Sequence, residues 1–269
     1  MVDLSKIEKF FAERIDLMDS DNAPKTFYFI LISRKKWLDV FYPGVSGIRG
    51  GEYAFSKFVL AGHAFDIYQK VKHKLSILDP RYSFERFGFN IADFYAKYPK
   101  AVSLMVTYQP RDEERAVKKL TLELISRLIN HEEPIFLDNL WKTIIHKTPY
   151  KGLAFVLIDL DVFKPLSKQE LKYVADVYRD LGIMDIYYAC TTPSGGLHTV
   201  VRLDLNRAIG EIIFGRHKEF KNRLLKVSKS IKEIEIKTQQ VLTHIPGVNP
   251  NVVDVTDLFE TRRPLKIER

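Results

Sequence analysis

Apolar and polar positions recur along this chain with two different periods, and the change of period marks its elements. Over residues 1–20, Ile7, Phe10, Phe11 and Ile15 return at three- and four-residue intervals, which predicts a helix with one buried stripe. Residues 26–33 (TFYFILIS) are a run of aromatic and β-branched side chains and predict a buried strand. Residues 54–75 keep a helical rhythm, while the aromatic-rich stretch 81–98 fits neither period. A second strand is expected at 101–108 (AVSLMVTY). Pro110 ends it, and Asp112 is placed to cap a helix reaching Ile129. A short helix follows at 136–146, and KTPYK at 147–151 reads as a turn and as the boundary between two halves.

The second half is patterned more sharply. Residues 153–160 form an almost unbroken apolar strand. Ser167 with Glu170 has the spacing of a capping box for a helix that ends near Gly182. Strands at 185–192 and 197–205 are joined by the turn Pro193–Gly196 as a hairpin, and 206–226 predicts a helix. The amphipathic stretch 228–240 is ambiguous, and a last short strand is expected at 252–255. This order, β-α-β-β-α-β, is the split-βαβ arrangement of ferredoxin-like and RRM-like sheets. The expectation is therefore an α/β (α+β) protein, with an N-terminal α/β platform unit over 1–147 packed on an RRM-like unit over 148–269.

Composition narrows the classes. The 269 residues are 46% hydrophobic, enough for a sizeable core. No apolar run approaches the roughly 20 residues of a membrane span, and residues 1–9 are mixed and charged rather than signal-like. A cytoplasmic protein with no membrane partner is expected. The single cysteine, Cys190, rules out a disulfide within the chain and a multi-cysteine zinc site, so no zinc is expected. Its apolar surroundings suit a buried, inert thiol. The net charge of +8 favours polyanionic partners.

Two motifs carry candidate chemistry. In VLIDLD (156–161), Asp159 and Asp161 are two residues apart on a strand and project to one face. Carboxylates that close repel each other, and a hard divalent cation, Mg²⁺ or Mn²⁺, relieves the repulsion. The same tripeptide also suits a strand end with solvated or capping aspartates. In TTPSGGLH (191–198), backbone amides, the Ser194 hydroxyl, Gly195, Gly196 and the His198 imidazole share one rim, a set suited to phosphate oxygens. The bland alternative is a structural hairpin. The other histidines show no metal-ligand spacing. The glycine-rich 44–51, with Arg49, lacks the lysine and Ser/Thr of a P-loop and reads as an ordinary loop. The aromatic residues of 82–98 suit either base stacking or a packed core.

A D-x-D strand, one helix and an S-G-G-x-H hairpin, in that order, resemble the archaeo-eukaryotic primase superfamily over about residues 153–205. TPSGGLH is most similar to plasmid and phage primase-polymerases, and GLH also to the polymerase domain of bacterial end-joining ligases. YQPR (108–111) is similar to a polar Pro-Arg element ahead of the first motif in some relatives.

The resemblance implies a metal-dependent primase-polymerase that transfers nucleotides from NTP or dNTP under the direction of a single-stranded template. It implies a two-metal site of Mg²⁺ or Mn²⁺ on Asp159, Asp161 and a third, later acid. His198, with Ser194, Gly195 and Gly196, is then expected at the nucleotide's phosphates. Asp254, in NVVDV (251–255), is the choice for the third acid. It follows His198 by 254 − 198 = 56 positions, and Asp257 and Asp204 are rivals. Relatives often carry Lys or Arg in the hairpin loop where this chain has Gly195 and Gly196. Arg202, on the face of His198, is the expected replacement, with Arg262, Arg263 and Lys266 as further sources of charge. A separate helicase or primase large subunit is a partner the resemblance admits. Two alternatives stand beside this reading, a non-catalytic nucleic-acid-binding replication accessory and a D-x-D glycosyltransferase.

Overall fold

Two four-stranded sheets, each antiparallel throughout, organise the chain, which has the α+β class expected. The computed structural model describes residues 1–15, 24–34, 38, 52–81, 85–86, 89–133, 135–150, 154–184, 186–203, 207–238 and 241–259. Arg49, Asp204, Arg262, Arg263 and Lys266 lie outside the described residues, as do the glycine-rich 44–51 and Tyr82. The chain divides into two compact units, Met1–Leu153 with Gln239–Pro250, and Ala154–Thr238 with Asn251–Arg269. It passes between them three times, after 153, 238 and 250, whereas the sequence suggested one break at 147/148.

The first unit opens with helix α1 (Leu4–Phe10), capped by Asp3 and continued by one π-turn, Phe11–Ile15. Strands β1 (Lys25–Arg34) and β2 (Glu52–Gly62) pair along nearly their whole lengths. Helix α2 (Ala64–Lys74) follows directly. Residues 54–75, read as one helix, are therefore a strand and then a helix. The three-residue interval from Phe55 to Phe58 looks helical because Phe55 is the extra residue of a β-bulge: Leu31 pairs with Ser56, and Ile32 with Ala54. The ladder with β1 overrides local preference.

After the short pair β3 (Glu85–Arg86) and β4 (Phe89–Asn90), helix α3 (Ile91–Lys97) begins at Asn90, whose side chain accepts from the amides of Ala92 and Asp93. Phe94 and Tyr95 are buried, and the Tyr95 hydroxyl donates to the Val248 carbonyl, so these aromatics of the unassigned stretch belong to a core. Strand β5 (Val102–Thr107) is buried at all six positions and pairs with β1. Helix α4 (Glu113–Ile129) has the Asp112 cap the sequence predicts, and α5 (Leu137–His146) follows. Phe11 anchors the helices to the sheet, its ring 6.1 Å from Phe29 and 6.3 Å from Tyr68.

In the second unit, β6 (Phe155–Val162), α6 (Lys168–Asp180), β7 (Ile186–Thr191) and β8 (Leu197–Arg202) appear where expected. Ser167 and Glu170 form the capping box. Then come α7 (Arg207–Glu211), a π-turn at Ile212–Arg216 and α8 (His217–Val227). The fourth strand is β9 (Ile231–Lys237), not 252–255. The sheet order is β7-β8-β6-β9, that of a split βαβ unit. Val156, Ile158 and Leu160 of β6 face the helices and pack with Val174, Tyr178 and Phe220. Strand β10 (Leu242–Ile245) returns to the first unit and pairs with β5, completing its sheet in the order β10-β5-β1-β2. No helix among the described residues is long and apolar enough to cross a membrane.

Candidate functional site

Because even-numbered residues of β6 fill the core, Asp159 and Asp161 fall on the opposite face of the sheet. Register decides their neighbours. Asp159 lies directly across from His198 on β8 and from Glu235 on β9, and Asp161 across from Glu233. Directly opposed residues of an antiparallel pair share a face. Four carboxylates thus stand in two opposed pairs beside an imidazole.

Asp159 is mostly buried and doubly compensated. Its Oδ1 is 3.3 Å from Nε2 of His198, and its Oδ2 accepts from the Lys237 ammonium at 2.7 Å. Lys237 also reaches Glu235 at 3.0 Å. Burial would raise the Asp159 pKa, but the hydrogen bond and charge of His198 and those of Lys237 outweigh it and hold the carboxyl well below its usual range. Burial works against the charged form of Lys237, yet Asp159 and Glu235 raise its pKa. The repulsion expected between Asp159 and Asp161 is therefore offset at Asp159 by two positive or polarisable partners.

The hairpin is built on its own contacts. The Thr192 amide donates to the Gly196 carbonyl, and the Gly196 amide to the Thr192 hydroxyl, each at 3.0 Å. Ser194 turns its hydroxyl to that of Thr192, 3.1 Å away. Gly195 has a φ of +85°, and a Cβ there would lie 2.5 Å from the Pro165 Cβ; one on Gly196 would lie 2.2 Å from the Leu160 carbonyl oxygen. The close approach these glycines permit is thus to the protein's own backbone and Pro165, which seats the hairpin against the end of β6.

Arg202 shares the face of His198 but sits four residues further along β8, roughly 13 Å away at strand spacing, with its guanidinium over the Tyr187 ring. Asp254 lies elsewhere. It bridges to Cys190 on the far edge of β7, three strand steps and roughly 14 Å from Asp159. Its Oδ1 accepts from the amide and hydroxyl of Thr256 at 2.9 and 2.6 Å, capping the turn Thr256–Leu258. Its rival Asp257 stands within that turn. Cys190 is fully buried. The structure brings together Asp159, Asp161 and His198, and adds Glu233, Glu235 and Lys237, which sequence reasoning missed.

The donor types suit a hard divalent cation, since carboxylate oxygens are what Mg²⁺ and Mn²⁺ prefer. As they stand, Lys237 bridges Asp159 and Glu235, and among the described residues no group of three His, Cys, Asp or Glu side chains is disposed to hold an ion. No family model matches this chain, and no curated protein or solved structure matches it either.

Proposed function

We propose that the second unit is the catalytic part of a metal-dependent nucleotidyltransferase. Within that class, the motif order and hairpin favour a primase-polymerase that extends or starts a strand on a single-stranded template. One observation carries the reading: the pairing of β6 with β8 and β9 gathers Asp159, Asp161, Glu235 and His198 on one face. Asp159 and Asp161 would be the principal ligands. Glu235 replaces Asp254 as the third, because it stands opposite Asp159 while Asp254 caps a turn. Bound divalent ions would lower the pKa of the attacking hydroxyl and offset the charge of the triphosphate.

The chain's own residues set the rest. Asp159 fixes the orientation of the His198 imidazole, and the imidazole can then meet a phosphate oxygen. Lys237 must leave Asp159 for the carboxylates to converge, and a triphosphate is a natural acceptor for its ammonium. Glycines 195 and 196 seat the hairpin against Pro165 and the Leu160 carbonyl, their amides satisfied within the hairpin, and the Ser194 hydroxyl would face the phosphate.

The Lys237 ion pair favours a second reading, in which this cation permanently neutralises the strip and the chain is a non-catalytic nucleic-acid-binding relative. Labelled NTPs or dNTPs incubated with primed and unprimed templates, with Mg²⁺ or Mn²⁺, separate the two. Incorporation that disappears in Asp159→Ala, Asp161→Ala and Glu235→Gln supports catalysis. Template binding without incorporation supports the accessory, and incorporation that persists in all three variants overturns the site.

A further inference from the structure

The first unit contains a polar cleft of about 690 Å³, lined among others by Tyr28, Ser56, Lys57, Lys142, Thr143 and His146. That volume is within the range of small-ligand sites, about 300–1,000 Å³. His146 stacks on Tyr28 with ring centres 4.5 Å apart and planes 28° from parallel. Its Nε2 is buried without a hydrogen-bond partner. An unpaired buried nitrogen costs free energy unless something arrives to satisfy it.

Behind His146 lies an uncompensated cation. Arg111 is only 3% exposed. Its Nε donates to the Gln109 carbonyl at 3.1 Å and its Nη1 to the His146 carbonyl at 2.9 Å. Nη2 has no partner, and Arg111 pairs with no carboxylate among the described residues. Burial lowers its pKa to about 10. His146 is pushed down to about 4, first by burial and then by the charges of Arg111, Lys57 and Lys147. Asp138 also lines the cleft, and it is engaged by Lys142 at 2.5 Å. The local field is positive, and buried charge of one sign calls for a counter-charge.

Positive charge, a flat aromatic surface and hydroxyl or amide groups along one wall are the chemistry that holds phosphate and base together. We propose that this cleft binds a nucleotide unit, with its phosphate on Lys57 and Lys142 and its base against the His146 ring. The unit is either a free nucleotide or one member of a single strand. The site is built wholly from the first unit and does not require the carboxylate strip to hold metal.

The test uses the full chain in EDTA, so that no divalent ion contributes. ADP is titrated by calorimetry and a fluorescein-labelled ten-residue oligothymidylate by anisotropy. The proteins are wild type, Lys57→Ala, Lys57→Ala with Lys142→Ala, and Asp159→Ala. At least one probe should bind wild type and Asp159→Ala alike. The double variant should weaken that binding roughly tenfold or more, as expected for losing charge-assisted contacts, and the exposed Lys57→Ala alone should show part of the loss. The His146 ring signals in NMR should shift on binding. Binding of ADP alone assigns the cleft to a free nucleotide, and of the oligonucleotide alone to a strand. If neither probe binds, or if both lysine variants bind as wild type does, the proposal is overturned.

Discussion

At the scale of single residues, the two aspartates of the D-x-D motif are not equivalent. Asp159 is held by Lys237 and His198, so its removal takes one acceptor from a half-buried ammonium and one from a buried imidazole. Asp159→Ala should cost about 1–3 kcal/mol of metal-free stability. The Asp161 carboxylate has no such partners among the described residues, and Asp161→Ala should change stability by no more than about 0.5 kcal/mol. Chemical denaturation of both variants in EDTA checks this; equal losses would contradict the asymmetry. The motif itself was legible, because alternation along a strand is enough to put both carboxylates on one face. The surroundings of Asp159 were not, since the cation Lys237 and the further carboxylate Glu235 become its neighbours only through a strand that the pattern left unassigned.

His146 gives a pH signature. Its folded pKa of about 4 lies below its ordinary value of 6.5, so the unfolded chain binds the proton more readily. The neutral ring therefore contributes stability above pH 6.5, and that contribution fades as pH falls towards 4. Asp159, whose folded pKa is also lowered, adds a second loss only below its ordinary 3.8. Thermal melts from pH 7 to 4.5 should drop less steeply in His146→Asn than in wild type. Parallel curves would show that this ring does not govern the acid limb.

At the scale of elements, the strands the sequence hid share one cause. In β2 the bulge at Phe55 turns a two-residue period into a three-residue interval. In β9 the pairing Asp161 with Glu233 and Val162 with Ile231 leaves Lys232 extra, so Ile231, Ile234 and Ile236 read as an amphipathic helix. A β-bulge adds one residue without changing which face is buried, and periodicity cannot register that. The apolar stretch 252–255 failed in the opposite way. It has strand-like composition but only one bridge, at Asp254, and runs beside β7 as an irregular segment.

The hairpin between β7 and β8 was legible from its Pro-Ser-Gly-Gly turn, although its glycines meet protein rather than an open rim. A Cβ on Gly196 would collide with the Leu160 carbonyl, the residue immediately before β6 delivers Asp161. Gly196→Ala should therefore destabilise by roughly 1–3 kcal/mol and disturb the amides of β6. Melting curves with backbone NMR shifts at Leu160 and Asp161 measure both, and a variant that leaves them unchanged would mean that the hairpin does not seat on β6.

At the scale of the whole molecule, the proposed primase-polymerase would bind its template with help from the net charge of +8, and that binding should be steeply salt-dependent. Each neutralised phosphate of a single strand contributes about −0.7 to the slope of log affinity against log salt. Binding measured from roughly 50 to 200 mM salt should fall well over tenfold for three to six contacts, and should differ little between two unrelated oligonucleotides. The split-βαβ topology of the second unit was expected from the order of its elements, but with its fourth strand at 252–255 rather than at β9. The interleaving of the units was not, because nothing in the composition of 239–250 marks it as belonging with the first.

In the proposed function, the carboxylate strip of β6 and β9 would hold divalent metal once a triphosphate draws Lys237 away. Calorimetric titration of Mn²⁺ into the chain, with and without a non-hydrolysable nucleoside triphosphate, tests it directly. Mn²⁺ alone should bind weakly, the triphosphate should make its binding much tighter, Lys237→Met should tighten it without the triphosphate, and Asp161→Ala should abolish both. Absence of Mn²⁺ binding to the wild-type chain in the presence of the triphosphate, or undiminished binding in Asp161→Ala, would contradict it.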